Sequence, residues 1–341
     1  MRPMRPIRPM RPMRPINPLS LLFILLLAAC SSEKKPAATN RVTTDSAPYE
    51  LLLIADKDWL KTADGTVVME VLNSNILGLP QQESNFKIMS INPAAFSKTF
   101  QGFANIIKLD INAKYTKADV QVAHDLYAHP QIIAYLTAPN GRAMAEMVIK
   151  RQHQIIDLFN NSELKRERAN LHRIYSDKVK REVKQMFGCE IYVPKDINAV
   201  KSGHHFLWAS SNQISNRLNI CVYSYPWAGE DICSQQHFIA MRDSFMRENI
   251  KGEEANQYMK TNEEFVFTRT IQFEGRTVLE ARGLWSMEND MMGGPFVSYT
   301  QVDSLNKRVI VAEGFVYAPE KKKRLLIRQL EAAIQTLSIN Q

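Results

Sequence analysis

From Phe265 to Tyr317 the chain alternates apolar and polar residues with a period of two. Phe265, Phe267, Ile271 and Phe273 fall on one parity, Glu274-Gly275 breaks the run, and Val278–Trp285 returns. Phe296–Val302 and Arg308–Tyr317 form a second pair around Asp303-Ser304-Leu305-Asn306. Successive side chains of a strand point to opposite faces, and short polar breaks between such runs suit hairpins. The pattern predicts a four-stranded antiparallel meander. Pro319 then opens a helix in which Leu326, Leu330, Ala333, Ile334 and Leu337 recur at helical spacing and face a core. Strands in runs with helices grouped around them give an α+β fold rather than a doubly wound sheet.

Upstream, short apolar runs predict strands at Tyr49–Ala55, Phe86–Ile91, Ile106–Ile111, Val120–Tyr127 and Gln131–Leu136, with a helix running towards Leu72. Arg142–Phe187 reads as a long helical stretch, interrupted at Asn160-Asn161-Ser162 and ended by Gly188. Strands follow at Cys189–Val193, Phe206–Ser210 and Leu218–Tyr225, then a helix over Ser234–Ile250. The expected body is an α+β domain over residues 48–341, with antiparallel sheets and helices packed on them. It divides into two intimate halves, 48–187 and 188–341.

The N-terminus is of another kind. Five arginines, Arg2, Arg5, Arg8, Arg11 and Arg14, precede an apolar run from Leu19 to Ala29, and Cys30 follows. Eleven apolar residues are too few to span a bilayer, which takes about 20. A positive segment, a short apolar segment and a small-residue exit match a secretory signal. Leu27-Ala28-Ala29-Cys30 resembles the lipobox of bacterial lipoproteins, which implies cleavage after residue 29 and lipid, palmitate included, on Cys30. Acyl chains contribute about 0.8 kcal/mol per buried methylene, so several together make a lasting anchor. Ser31 in the place of Asp points to the outer membrane. Residues 30–47 are small and polar and read as a flexible tether without a run of acids, which favours a periplasm-facing location.

Charge argues against nucleic acid as the partner. The chain of 341 residues has a formal net charge of +8, from 43 Lys and Arg against 35 Asp and Glu. The first 29 residues hold five of those arginines and no acid, so the remainder carries 38 bases against 35 acids. The expected partners are the membrane, through lipid on Cys30, and an envelope protein or ligand; the sequence does not specify an oligomeric state.

No motif of a known enzyme class is present: no Gly-x-Ser-x-Gly, His-Glu-x-x-His, Walker loop, Gly-x-Gly-x-x-Gly or Cys-x-x-Cys. No catalytic residue, metal ligand or cofactor is assigned. His124 and His129 are five apart, which on one strand splits them between faces, and adjacent His204 and His205 split likewise. Cys221 and Cys233 are the nearest cysteine pair, open to a disulfide, to free thiols, or to a chemical role as nucleophile or metal ligand beside His204, His205 or His237. Lys165–Lys184 and Lys321–Arg324 are basic runs suited to a solvated face or an anionic surface. The most singular stretch is Gly283–Tyr299. There Trp285 and Phe296 flank Glu288, Asn289 and Asp290 and the pair Gly293-Gly294, a composition suited to a recognition loop.

That stretch also carries a resemblance. Ala281-Arg-Gly-Leu-Trp285, then Asn289-Asp290 and Met292-Gly-Gly-Pro-Phe296, resembles the signature of an uncharacterised lipoprotein family, domain of unknown function 4837. Tyr127-Ala-His-Pro-Gln-Ile-Ile133 and Thr137-Ala-Pro139 resemble its N-terminal half, so the likeness is expected to run from Pro48 to Leu337. It implies a gram-negative envelope lipoprotein with one α+β body and brings no activity or catalytic residue. The reading that results is a lipid-anchored protein binding an envelope partner or ligand. The alternative is a hydrolase of envelope material using Asp290, Glu288 or a histidine.

Overall fold

Two sheets carry the fold in the computed structural model, which describes residues 42–213, 215–229 and 231–339. The first contains β1 (Glu50–Ile54), β2 (Lys87–Ile91), β3 (Asn105–Ile111), β4 (Asp119–His124) and β5 (Ile132–Ala138) in the order β2-β1-β3-β5-β4. Three of its ladders are parallel and only β4–β5 is antiparallel, which corrects the antiparallel expectation for this half. The reason lies in β1. Leu51 to Ala55 are all buried, with Leu51 and Leu53 packed under helices and Leu52 and Ile54 against Phe96, Phe100 and Phe103. A strand covered on both faces needs a continuous apolar run, and such strands belong to parallel sheets.

Helix α1 (Ala63–Leu72) connects β1 to β2, and α2 (Gly141–Lys150) and α3 (Gln152–Leu171) follow β5. The helical stretch breaks at Arg151 and again after Leu171, not at Asn160. Asn160 stays inside α3 because its buried amide donates to Asn85 Oδ1 at 3.2 Å.

The second sheet contains β6 (Ile197–Gly203), β7 (Phe206–Ser211), β8 (Arg217–Pro226), β9 (Met259–Phe273), β10 (Arg276–Met287), β11 (Gly293–Asp303) and β12 (Arg308–Tyr317). Its order is β9-β10-β11-β12-β8-β7-β6 and every ladder is antiparallel. The α+β class and the C-terminal meander followed by a helix are as expected. β6 has no counterpart in the sequence reading. It is an edge strand bearing Asn198, Lys201 and Ser202, so it lacks the apolar parity that marks a strand.

Helices α4 (Asp177–Phe187) and α6 (Arg324–Ile334) pack on one face of this sheet, and α5 (Gln235–Asn249) packs on the other. Gly188 ends α4 at φ 66°, as its position implied. On the α5 face, Arg242 is fully buried and grips Glu313 of β12 through Nε at 3.0 Å and Nη2 at 2.8 Å. Its third branch donates to Thr261 Oγ1 of β9 at 2.8 Å.

The apolar clusters divide the body earlier than residue 187. Val179, Val183 and Phe187 of α4 belong to the core of the second sheet, and α3 joins both cores, Ile155 and Phe159 in the first and Leu164 and Leu171 in the second. The expected tether is also shorter at its described end. Val42–Thr43 pairs in parallel with Ala128–His129 in a small two-stranded sheet, and Ser46 Oγ accepts from Ala104 N at 3.0 Å, so these residues belong to the folded body.

Helix α6 starts at Arg324 rather than at Pro319, and its start is set from the other half of the chain. Glu83 accepts from Lys323 N at 2.6 Å and from Arg324 N at 3.1 Å. A carboxylate there satisfies two of the otherwise orphaned amides and complements the positive end of the helix dipole. Cations at a helix start oppose its dipole, and here Lys323 N is covered by Glu83 while Lys323 Nζ reaches Gln81 Oε1 at 3.1 Å. Glu83→Ala is therefore expected to destabilise the protein by about 1–2 kcal/mol, the usual cost of a lost cap. Urea unfolding checks it; a midpoint equal to wild type would show that α6 does not depend on this contact.

Candidate functional site

The residues singled out in the sequence separate into two sets. Cys30 lies outside the described residues. Trp285 is a core residue, 3% exposed, with its indole edge against Phe315 at 5.5 Å between ring centres and Nε1 donating to Val316 O at 3.3 Å. Gly293 and Gly294 are in β11, paired with Ser286 and Trp285. Neither has a positive φ; their requirement is space. A Cβ on Gly294 would lie 2.0 Å from Val316 O and one on Gly293 would lie 2.9 Å from Trp285 O. Only Glu288, Asn289 and Asp290 are left at the β10–β11 turn. Asn289 takes the left-handed conformation at φ 55°, Glu288 pairs with Lys260, and exposed Asp290 accepts from Met291 N. None of these six residues lines the cleft described below.

Cys189, Cys221 and Cys233 are free thiols, so the open choice at Cys221 and Cys233 falls to the unpaired state. Burial pushes the Cys189 and Cys221 thiols up, which makes them poor nucleophiles. Among the described residues no group of three or more His, Cys, Asp or Glu could hold a metal ion, and no helix is long and apolar enough to cross a membrane.

A concavity lies elsewhere, between α3 and the β9–β10 end of the second sheet. It encloses about 610 Å³, within the roughly 300–1,000 Å³ usual for small-ligand sites. Gln152, His153, Ile156, Asp157, Asn160 and Asn161 line one wall because they recur on a single face of α3. Phe267 and Arg269 line the opposite side from β9. In register with them on β10 stand Arg282 and Glu280, which form the floor together with Arg328 and Glu331 of α6. Ser74–Leu77 and Asn85 close the end.

The floor is a continuous chain of buried charges. Arg282 donates from Nε to Glu280 Oε1 at 2.6 Å and from Nη2 to Glu331. Arg328 donates to Glu331 Oε2 at 2.8 Å and to Asn85 Oδ1 at 2.7 Å. Glu280 also accepts from Arg269 Nη2 at 3.1 Å. Glu280, Glu331, Arg282 and Arg328 are each at most 8% exposed. Two carboxylates and two guanidiniums at this depth balance each other, and mutual neutralisation is what makes their burial tolerable. At the mouth Arg269 and Asp157 stand 3.8 Å apart, another opposed pair. Two polar atoms of the lining have no hydrogen-bond partner among the described residues: Asn160 Oδ1 and Arg328 Nε.

Sequence reasoning passed over this site, yet a signal was present. Val278, Glu280 and Arg282 share one face of a strand whose Val278 is core, and Arg328 and Glu331 alternate with Ile327 and Leu330 on α6. Charges on a face that must be buried mark a paired network.

Burial alone would raise the Glu280 carboxyl, but Arg282 and Arg269 outweigh it and hold the pKa at about 2, against an ordinary 4.5. A depressed folded-state pKa contributes stability above the unfolded value, lost as pH falls through the folded one. Glu280 thus contributes stability at neutral pH that disappears as the pH falls from about 5 towards 2. Glu280→Gln is expected to lower the melting temperature at pH 7 and to flatten its decline below pH 5. An acid limb as steep as that of wild type would place the responsible carboxylate elsewhere.

No curated protein matches the chain. A crystal structure from Bacteroides thetaiotaomicron VPI-5482 is similar with a TM-score of 0.26 and 8% identity, and the match spans 45% of each chain. Residues 45–172 match the domain of unknown function DUF8532 and residues 176–336 match the domain of unknown function DUF4837. The likeness expected from Pro48 to Leu337 is thus divided, and the Tyr127–Ile133 motif falls in the first domain rather than in the second. The Ala281–Phe296 signature falls where it was expected, within residues 176–336, which match the model of the DUF4837 family.

Proposed function

We propose that this chain is an envelope lipoprotein, anchored in the outer membrane through lipid on Cys30 and facing the periplasm, whose folded body binds a ligand in the cleft between α3 and β9–β10. The cleft carries the binding half of this reading. It is concave, its lining mixes apolar side chains such as Ile156 and Phe267 with exposed carboxamides, and its floor charges are already paired. Paired floor charges give a rigid, preorganised surface. The anchor half rests on Leu27-Ala28-Ala29-Cys30 at the end of the short apolar run.

His153 lines the cleft, but the carboxylates of the hydrolase alternative give it no support. Glu288 is engaged by Lys260, Asp290 is at a hairpin tip, and Glu280 and Glu331 are committed to guanidinium groups. General acid–base chemistry needs a carboxyl free to exchange its proton near the working pH.

Each half has its own test. Cells expressing the full chain and fed labelled palmitate should label wild type and not Cys30→Ala, with only wild type sedimenting with membranes. Equal labelling or equal sedimentation of the two would refute the anchor. For the cleft, Asn161→Arg should fill the mouth without touching the core. A thermal-shift screen of the full chain against sugars, peptides and amino acids should find a stabilising compound for wild type and none for Asn161→Arg. Stabilisation that survives the substitution would remove the ligand from the cleft.

A further inference from the structure

The chemistry of the cleft wall narrows the ligand. Six carboxamides line it: Asn75 and Asn85 near β2, Gln152, Asn160 and Asn161 on α3, and Gln235 at the start of α5. Asn85 and Asn160 are buried and bonded to each other, and Asn85 also to Arg328, so the exposed Asn75, Gln152, Asn161 and Gln235 are the carboxamides that offer a donor and an acceptor side by side. The charged groups of the floor cancel within the protein, and at the mouth Arg269 and Asp157 oppose one another. An ion entering such a site would lose its hydration and find no net charge to compensate it. What the site rewards is an uncharged ligand with many hydroxyl or amide groups. Phe267 adds one further feature: it is 43% exposed on the cleft side of β9, in register with Arg282. An aromatic face open beside polar groups suits a molecule with an apolar face and a polar rim.

Resting on the reading of the cleft as a binding site, we propose that its ligand is an uncharged oligosaccharide segment, gripped at its hydroxyls by the carboxamides and stacked by one sugar face on Phe267. A sugar hydroxyl both donates and accepts, as does a carboxamide, and vicinal hydroxyls present the pair at the spacing that one amide spans. The carboxamides come from separate segments around the volume rather than in one row, which fits a ring with groups on all sides better than an extended peptide.

The full chain, purified in a detergent without a sugar headgroup, should be applied to arrays of uncharged oligosaccharides, anionic oligosaccharides and short peptides. Hits should then be titrated by calorimetry against wild type, Phe267→Ala and Asn161→Ala. Both substitutions are at exposed positions, and circular dichroism would confirm that they fold. The expected result is binding confined to uncharged oligosaccharides and weakened roughly tenfold by each substitution, about 1.4 kcal/mol. Binding of only peptides or only anionic sugars, still weakened by both variants, would overturn the oligosaccharide and leave the cleft standing as a site. Binding to none of the three classes, or binding indifferent to both variants, would overturn the cleft as well.

Discussion

Arg328 on α6 is the contact on which the arrangement of the two sheets turns. One branch of its guanidinium holds Glu331 on its own helix and another holds Asn85, which precedes β2 of the first sheet. Glu331 in turn takes Arg282 from the second sheet. A single helix thus carries hydrogen bonds into both halves, and Glu83 fastens the start of the same helix. Breaking one member of such a buried network leaves an unpaired charge, which costs about 3–5 kcal/mol. The cleft is a consequence: where α3 bridges the two cores beside this network, side chains of both halves line one cavity.

The apolar packing of α6 makes that network possible. Ile327, Leu330, Ala333 and Ile334 are buried against β11, β12 and β8, and Leu330 comes so close to β12 that a Cβ on Gly314 would lie 2.6 Å from Leu330 Cβ. That contact fixes the helix against the sheet and so fixes which of its residues face the first half. A bulkier residue at 314 would lift the helix, and Arg328 and Glu331 would move with it.

Much of the second half was legible in its sequence because period-two runs are local. The four meander strands and α5 appear where expected, β12 and α5 almost to the residue, although β9 begins at Met259 rather than Phe265 and β11 at Gly293 rather than Phe296; hairpins and helix caps are set by neighbours. Elements whose reason lies far away were misread. The parallel first sheet is built from pairings between β1, β2, β3 and β5, and its short apolar runs suit either sheet type. Asn160-Asn161 reads as a break, but Asn85, 75 residues earlier, makes Asn160 a helix residue. The start of α6 depends on Glu83, about 240 residues away. The candidate loop at 285–294 was prominent for its glycines and aromatics, and close packing accounts for Trp285, Gly293 and Gly294. The cleft, by contrast, is assembled from segments between Ser74 and Glu331, none of them notable alone.

The central claim is that α6 and its buried charges join the two halves into one cooperative body. Native-state hydrogen exchange in rising denaturant tests this most directly, by comparing Leu53 in the first sheet with Val311 in the second. Both amides should converge on a single opening free energy with the same denaturant dependence. In Arg328→Met, Leu53 should separate and open at lower free energy than Val311. Separate openings already in the wild-type chain, or convergence that survives in Arg328→Met, would contradict the account.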